Sequence, residues 1–188
     1  MADEPNTKPT PPGELELLRR FVNTVDFETD DELFADPAST VAWLREHGFT
    51  AEEDAFGPTE VARVVAFREG LRTLLLSHHG EEVDAGAIAA LAAAAREAPL
   101  VVRFSPDGAL GLEPALGGVE RVIGRLLAIA ATAEADGTWA RMKVCPADDC
   151  LVAFYDHSRN HSRTWCSMEV CGNRAKARTY RTRASHRG

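Results

Sequence analysis

The 188-residue sequence contains no apolar run close to the roughly 20 residues that a membrane-spanning helix needs. Its first residues, MADEPNTKPTPPGE, contain neither the basic nor the apolar segment of a secretory signal peptide. We therefore expect a cytoplasmic protein that does not contact a membrane. The sequence also lacks a glycine-rich phosphate loop, a nucleophile elbow and an H-E-x-x-H motif. Because no catalytic set of residues is present, we expect that the protein is not an enzyme.

Cysteine is scarce as well, and all four cysteines lie in the last quarter of the chain. Cys145, Cys150, Cys166 and Cys171 form two C-x4-C pairs with fifteen residues between them. Two matched pairs of thiolates are a usual ligand set for tetrahedral Zn²⁺, and four thiolates leave no open position for catalysis. We therefore predict one structural Zn²⁺ ion bound by these four residues.

Two alternatives use some of the same residues. Two disulfides would be usual in an oxidising compartment, but paired cysteines in a cytoplasmic protein more often bind metal. A Cys2His2 site could instead combine the first cysteine pair with His157 and His161. It would leave only six residues between its two pairs and two cysteines without a role. We favour the four-cysteine site for these reasons.

Charge divides the chain unevenly. The formal net charge is −8. Residues 141–188 hold ten basic and four acidic residues, a net charge of +6, whereas the remainder holds 11 basic and 25 acidic residues, a net charge of −14. A basic end on an acidic body favours a polyanionic partner such as nucleic acid.

Capping residues, proline and glycine predict a mainly α fold with two folded parts. Helices are predicted at 14–25, 36–48, 58–77, 84–98 and 118–135, with a short strand near Phe21–Val25 as the alternative for the end of the first. Ser105-Pro106-Asp107-Gly108 predicts the turn of one β-hairpin. The acidic stretch 27–34 is predicted to be a surface loop, and His78-His79 an exposed pair. The predicted divisions are a disordered tail at 1–13, a helical domain with one β-hairpin at 14–137, and a small zinc module at 138–188.

The zinc module is predicted to contain a tight turn from Cys145, a strand at 151–155, a turn at 158–161 and a helix capped by Ser167. A β-hairpin followed by a helix that carries the last ligand is a treble-clef-like arrangement. Beyond Cys171 this helix offers nothing large to bury, so a core does not hold it. Its like charges repel at i,i+4 spacing, and phosphates would relieve that repulsion.

Seven basic residues of this module are candidates for nucleic-acid contact. They are Arg159, Arg163, Arg174, Lys176, Arg178, Arg181 and Arg183. The alternative is a frayed basic tail that only aids solubility.

Arg68 is a candidate ligand-binding residue of the helical domain, because it is a charged residue on an apolar stripe of its helix. A buried arginine needs an anion, since an unpaired buried charge is very unfavourable. We favour a structural ion pair with Asp26 over a bound carboxylate or phosphate. Together with Asn23 and Thr24, Arg68 nevertheless forms a candidate site for a small anionic effector.

The segment FYDHSRNHSRTWCSMEVCGNRAKAR resembles the CGNR zinc-finger family, named for Cys171-Gly172-Asn173-Arg174. Members of that family usually carry an N-terminal ABATE domain, regarded as a stress-induced transcription regulator. FVNTVDF, the helix with Trp43-Leu44, and AFREGLRTLL look like that domain.

The resemblance implies a zinc-dependent, DNA-binding transcriptional regulator of stress responses, with duplex DNA as partner. Its N-terminal domain would sense a signal or form a homodimer. Two alternatives use the same zinc module: an RNA-binding module, or a small-molecule-binding or protein-interaction protein in which zinc is only structural.

Overall fold

A computed structural model describes residues 10–51 and 54–185, and it confirms the mainly α fold with small hairpins. The six helices of the described part are α1 (Leu15–Val22), α2 (Pro37–Glu46), α3 (Pro58–Ser77), α4 (Ala85–Glu97), α5 (Gly118–Ala135) and α6 (Asn173–Ser185). Three antiparallel hairpins pair β1 (Val25–Asp26) with β2 (Asp31–Glu32), β3 (Leu100–Phe104) with β4 (Leu110–Pro114), and β5 (Met142–Val144) with β6 (Ala153–Tyr155). No helix of the described residues is long and apolar enough to cross a membrane.

The helices begin where local signals predict. The Asp36 carboxylate accepts hydrogen bonds from the amides of Ala38 (2.8 Å) and Ser39 (3.0 Å), which caps α2. Asp84 caps α4 in the same way. Most of the predicted disordered tail, residues 1–9, lies outside the described residues. Of its remaining four residues, Pro11 is buried.

The core lies between α1, α3 and α5. Leu18, Phe21, Val64 and Leu126 are all fully buried there. Helix α3 buries side chains on most of its circumference, because α1, α4 and α5 all pack against it. Gly124 on α5 lets the β3–β4 hairpin approach closely, since a Cβ atom there would lie 3.2 Å from the Pro114 side chain.

The prediction of a surface loop at 27–34 was wrong at its C-terminal end. The segment turns at Asp30 (φ 61°) and returns as β2 beside β1. Phe34 is buried, with its ring centroid 5.7 Å from that of Phe21 and 5.5 Å from that of Trp43. The apolar contacts of Phe34 therefore outweigh the acidity of the segment before it.

The core continues beyond the predicted boundary at Gly137. Met142, Val144, Ala153 and Tyr155 belong to the same buried cluster as the side chains of α1, α3 and α5. Strands β5 and β6 thus complete the core of the helical body, and the turn between them contains the first two cysteines. The position of the zinc module is set by this shared packing.

His78 and His79 help to join the two parts, and the prediction that they are exposed was wrong. Nδ1 of His78 donates to the carbonyl of Met142 (2.7 Å), and Nε2 of His79 donates to the carbonyl of Val144 (2.7 Å). Burial lowers the pKa of His78, which keeps the ring neutral. The end of α3 is therefore hydrogen-bonded along β5.

Candidate metal centre and basic helix

The four cysteine sulfurs converge at one point beside the β5–β6 hairpin. All four Sγ atoms lie within 4.8 Å of one another, with 3.4 Å between Cys150 and Cys166 and 3.7 Å between Cys166 and Cys171. A tetrahedron with Zn–S bonds of about 2.3 Å places sulfurs about 3.8 Å apart. These sulfur–sulfur distances are much longer than a disulfide bond, which is about 2.05 Å, and none of the four cysteines forms a disulfide. The geometry therefore fits one four-coordinate Zn²⁺.

Each pair of ligands is held by its own backbone hydrogen bonds. The Cys145 amide donates to the carbonyl of Val152 (2.9 Å), and the Cys150 amide donates to that of Ala147 (2.9 Å), which closes the first turn. Cys171 lies in a π-helical turn, Met168–Gly172, that leads into α6. The sequence predicted an ordinary helix start here, and the structure replaces its first turn by the wider π form.

Gly172, the last residue of this turn, is packed closely against two neighbouring side chains. A Cβ atom at this position would lie 2.5 Å from Sδ of Met168 and 3.3 Å from Cδ1 of Trp165. The Ser167 hydroxyl accepts a hydrogen bond from the Val170 amide (3.3 Å) and caps the turn, as predicted. A larger residue here would therefore force the flexible Met168 side chain to move, whereas the backbone angle at this position does not itself require glycine.

The thiol cluster is electrostatically suited to a cation. Hydrogen bonding with Cys166 lowers the pKa of Cys145 to about 5, whereas burial raises the pKa of Cys150 to about 11. The four neighbouring thiols therefore oppose one another's ionisation, and a bound Zn²⁺ would stabilise four thiolates together. Nη2 of Arg174 lies 3.8 Å from Sγ of Cys171 and adds positive charge beside the cluster.

A buried ion pair supports the second pair of ligands. Nζ of Lys143 donates to Oδ2 of Asp156 (2.9 Å) and to the carbonyl of His161 (2.6 Å). The same carboxylate accepts from the amides of Ser158 (2.9 Å) and Arg163 (2.9 Å). The charge count treated Lys143 as part of the basic end. Its sequence position gave no signal of burial, because side chains alternate along a strand and a lysine between two apolar residues is expected on the opposite face. The loop that leads to Cys166 therefore closes on this pair.

Two family models match the chain. One, described as "Putative stress-induced transcription regulator" and abbreviated ABATE, matches residues 15–139. The chain belongs to the ABATE family. The second model, the CGNR zinc finger, matches residues 141–184. A search of curated proteins finds no match. Both resemblances seen in the sequence are confirmed, and the CGNR match together with the cysteine cluster identifies one structural zinc.

Within the CGNR zinc finger, the structure separates the predicted nucleic-acid-binding residues into two groups. The side chains of one group are exposed: Arg159, Lys176, Arg178 and Arg181. Arg163 and Arg174 are turned inward. The Arg163 guanidinium donates to the carbonyl oxygens of Trp165 (2.9 Å) and Cys166, which places it beside the zinc ligands. The side chain of Arg183 lies outside the described part of the chain.

Arg174 forms ion pairs as well as the contact with Cys171. Its Nη1 lies 2.9 Å from a carboxylate oxygen of Asp149 and 3.5 Å from one of Glu28. Asp149 also lies 3.5 Å from Nη2 of Arg178. One acidic residue of the first cysteine turn therefore partly neutralises two arginines of α6.

Within the ABATE domain, Arg68 is buried and paired inside the protein, but the predicted partner Asp26 was wrong. Arg68 donates to both carboxylate oxygens of Glu32 (2.7 and 2.6 Å), to Glu69 (2.7 Å) and to the Thr24 hydroxyl (3.0 Å). The Asp26 carboxylate instead accepts from the amide of Glu28 (2.8 Å). The guanidinium therefore already has acceptors on three sides.

Asn23 and Arg72 connect the ABATE domain to the zinc finger. The Asn23 amide both donates to and accepts from the backbone of Ala153, at 2.9 and 2.7 Å. Arg72 is buried and donates to the carbonyls of Leu151 (2.8 Å) and Val22 (2.5 Å). Of the three residues predicted to bind an effector, Asn23 serves this junction, and Thr24 and Arg68 serve the internal ion-pair network.

Proposed function

We propose that this zinc-binding protein is a DNA-binding transcriptional regulator of stress responses that acts in the cytoplasm and is not an enzyme. The observation that carries the proposal is the position of α6. The π-helical turn that leads into α6 contains the zinc ligand Cys171, and none of the described side chains of α6 is buried. A helix of this kind has no role in the core, so its basic side chains are available to a partner.

The exposed cations of α6 suit phosphates. Lys176 and Arg181 have no ion pair with any described residue, and Arg178 is exposed beside Asp149. Thirteen helical residues extend about 20 Å, and the major groove of duplex DNA, about 12 Å wide, admits a helix. Phosphate contacts by these residues would hold α6 on the duplex, and the zinc ion would fix its direction.

Removing two of these cations should weaken DNA binding and make it less sensitive to salt. For Lys176→Ala combined with Arg181→Ala, we expect the slope of log K against log salt to fall by about 2 and affinity at 0.1 M salt to fall at least about 10-fold. Fluorescence anisotropy with labelled duplex DNA measures both. Arg96→Ala with Arg121→Ala is the matched control, because both arginines are exposed on the ABATE domain.

Equal losses in the two double variants, or no salt-dependent binding by the zinc-loaded wild type, would contradict the proposal. Competition with structured RNA and single strands tests the alternative partner. Tyr180, which is 76% exposed, favours that alternative, because an exposed aromatic ring on a basic helix can stack on unpaired bases. Preference for RNA over the duplex would replace DNA by RNA in the proposed function.

Asp149 is expected to restrain nucleic-acid binding, because its carboxylate competes with phosphate for Arg174 and Arg178. Asp149→Asn should raise affinity several-fold and steepen the salt slope by about 1. Asp148→Asn removes the same charge from the neighbouring exposed position and should have a smaller effect. Salt titrations of both variants measure the difference. Equal effects would mean that Asp149 acts only through the net charge of the zinc finger and not through its ion pairs with Arg174 and Arg178.

A further inference from the structure

The β3–β4 hairpin exposes an apolar face that the rest of the described chain does not cover. Its register places Val102 opposite Leu112 and Phe104 opposite Leu110, so these four side chains share one face. Val102 is 61%, Phe104 76%, Leu110 68% and Leu112 40% exposed. The largest apolar patch on a protein surface is often a functional one, which makes this face a candidate interaction site.

Only the inner end of this face is packed. Leu100 and Pro114 lie against α5, where the missing Cβ of Gly124 makes room for them. The outer four residues extend past that contact. A two-stranded hairpin is marginally stable by itself, so its projecting half gains most from a partner that covers the apolar face.

We propose that this face binds the same face of a second copy of the chain. The hairpin's ion pair, Arg103 with Glu113 at 2.7 Å, lies on its opposite face. The apolar face therefore carries no charge that would bind nucleic acid or a charged peptide. In a twofold-symmetric dimer the same face of each copy contacts the other, so an apolar surface meets an apolar surface. At these exposures the four side chains present on the order of 500 Å² of accessible surface. Two copies would therefore bury on the order of 1,000 Å², near the lower limit of a specific interface.

An interface of this size predicts a reversible dimer. Sedimentation velocity on the zinc-loaded full chain, from low micromolar to near-millimolar concentration, should show a monomer–dimer equilibrium. Val102→Lys should weaken it at least about 100-fold, because the dimer would bury an unpaired ammonium group. Val101→Lys is the matched control: this valine lies next in the strand on the opposite face, across from Glu113, and should stay within about 2-fold of wild type.

Circular dichroism and zinc content establish that both variants are folded, and Phe104→Lys provides a second substitution on the apolar face with the same expected loss. The proposal is overturned if the wild type stays monomeric over the whole range, if the two valine variants dissociate equally, or if association continues beyond a dimer. No nucleic acid is present in these measurements, so their outcome is independent of the proposed function.

Discussion

Cys166→Ser is expected to abolish stoichiometric zinc binding, unfold the zinc finger and destabilise the ABATE domain with it. A serine hydroxyl does not replace a thiolate in a structural site, and zinc binding supplies folding free energy directly. Strands β5 and β6 contribute to the main core, so the loss should spread beyond the finger. We expect a decrease of at least about 5 kcal/mol, a large part of the stability of an ordinary domain.

Mass spectrometry under native conditions measures the zinc, and thermal unfolding measures the stability. Ser167→Ala is the control at the next residue. It removes the hydroxyl that accepts from the Val170 amide, at a cost of about 1 kcal/mol, and keeps four thiolates. A Cys166→Ser protein with one equivalent of zinc and an unchanged Tm would contradict the four-cysteine site.

Hydrogen exchange shows how far the loss extends. Amides of α3 should lose protection on zinc removal, because His78 and His79 at its end bond to β5 and Arg72 bonds to Leu151. Full protection of α3 in the zinc-free protein would instead mean that the ABATE domain folds independently of the zinc finger.

Features that depend on a few neighbouring residues could be predicted from the sequence. The helix starts at Asp36 and Asp84 rest on hydrogen bonds that span two or three residues. The two C-x4-C pairs are local in the same sense, because each pair spans only six residues. Such local signals can be recognised without knowledge of the tertiary fold.

Pairings between distant segments could not be predicted in this way. Which acid reaches Arg68 depends on the register of β1 and β2, which the turn at Asp30 decides. Asp26 is nearer to α1 in sequence, yet Glu32 on the returning strand receives the guanidinium. The sequence alone does not show which of these two acids pairs with Arg68.

The sequence also did not show which arginine side chains point into the protein and which point to solvent. Arg163 and Arg178 look alike in a basic segment, but the first bonds to carbonyls beside the zinc ligands and the second is exposed. A count of positive charge therefore overstates the surface available to a polyanion. The burial of Lys143 reduces it further.

Asp156→Asn is expected to destabilise the zinc finger by about 3–5 kcal/mol at pH 7, because it leaves the Lys143 ammonium buried without a counter-charge. Lys143 is 4% and Asp156 0% exposed, so water does not replace the lost partner. The asparagine keeps the shape of the side chain, which confines the change to charge and hydrogen bonding. Urea unfolding measures the difference, and Asp148→Asn, an exposed acid of the same finger, should stay within about 0.5 kcal/mol of wild type.

The pH dependence distinguishes this ion pair from a merely packed carboxyl. Burial opposes ionisation, but hydrogen bonds from Ser158, Lys143 and the Arg163 amide lower the pKa of Asp156 from 3.8 to about 2. A lowered pKa adds stability that is complete above the unfolded value and is lost as pH falls through about 4 towards 2. The difference between wild type and Asp156→Asn should therefore be constant from pH 8 to about 5. A difference that shrinks steadily over that interval would mean that the folded carboxyl is protonated there, and that Lys143 has lost its partner.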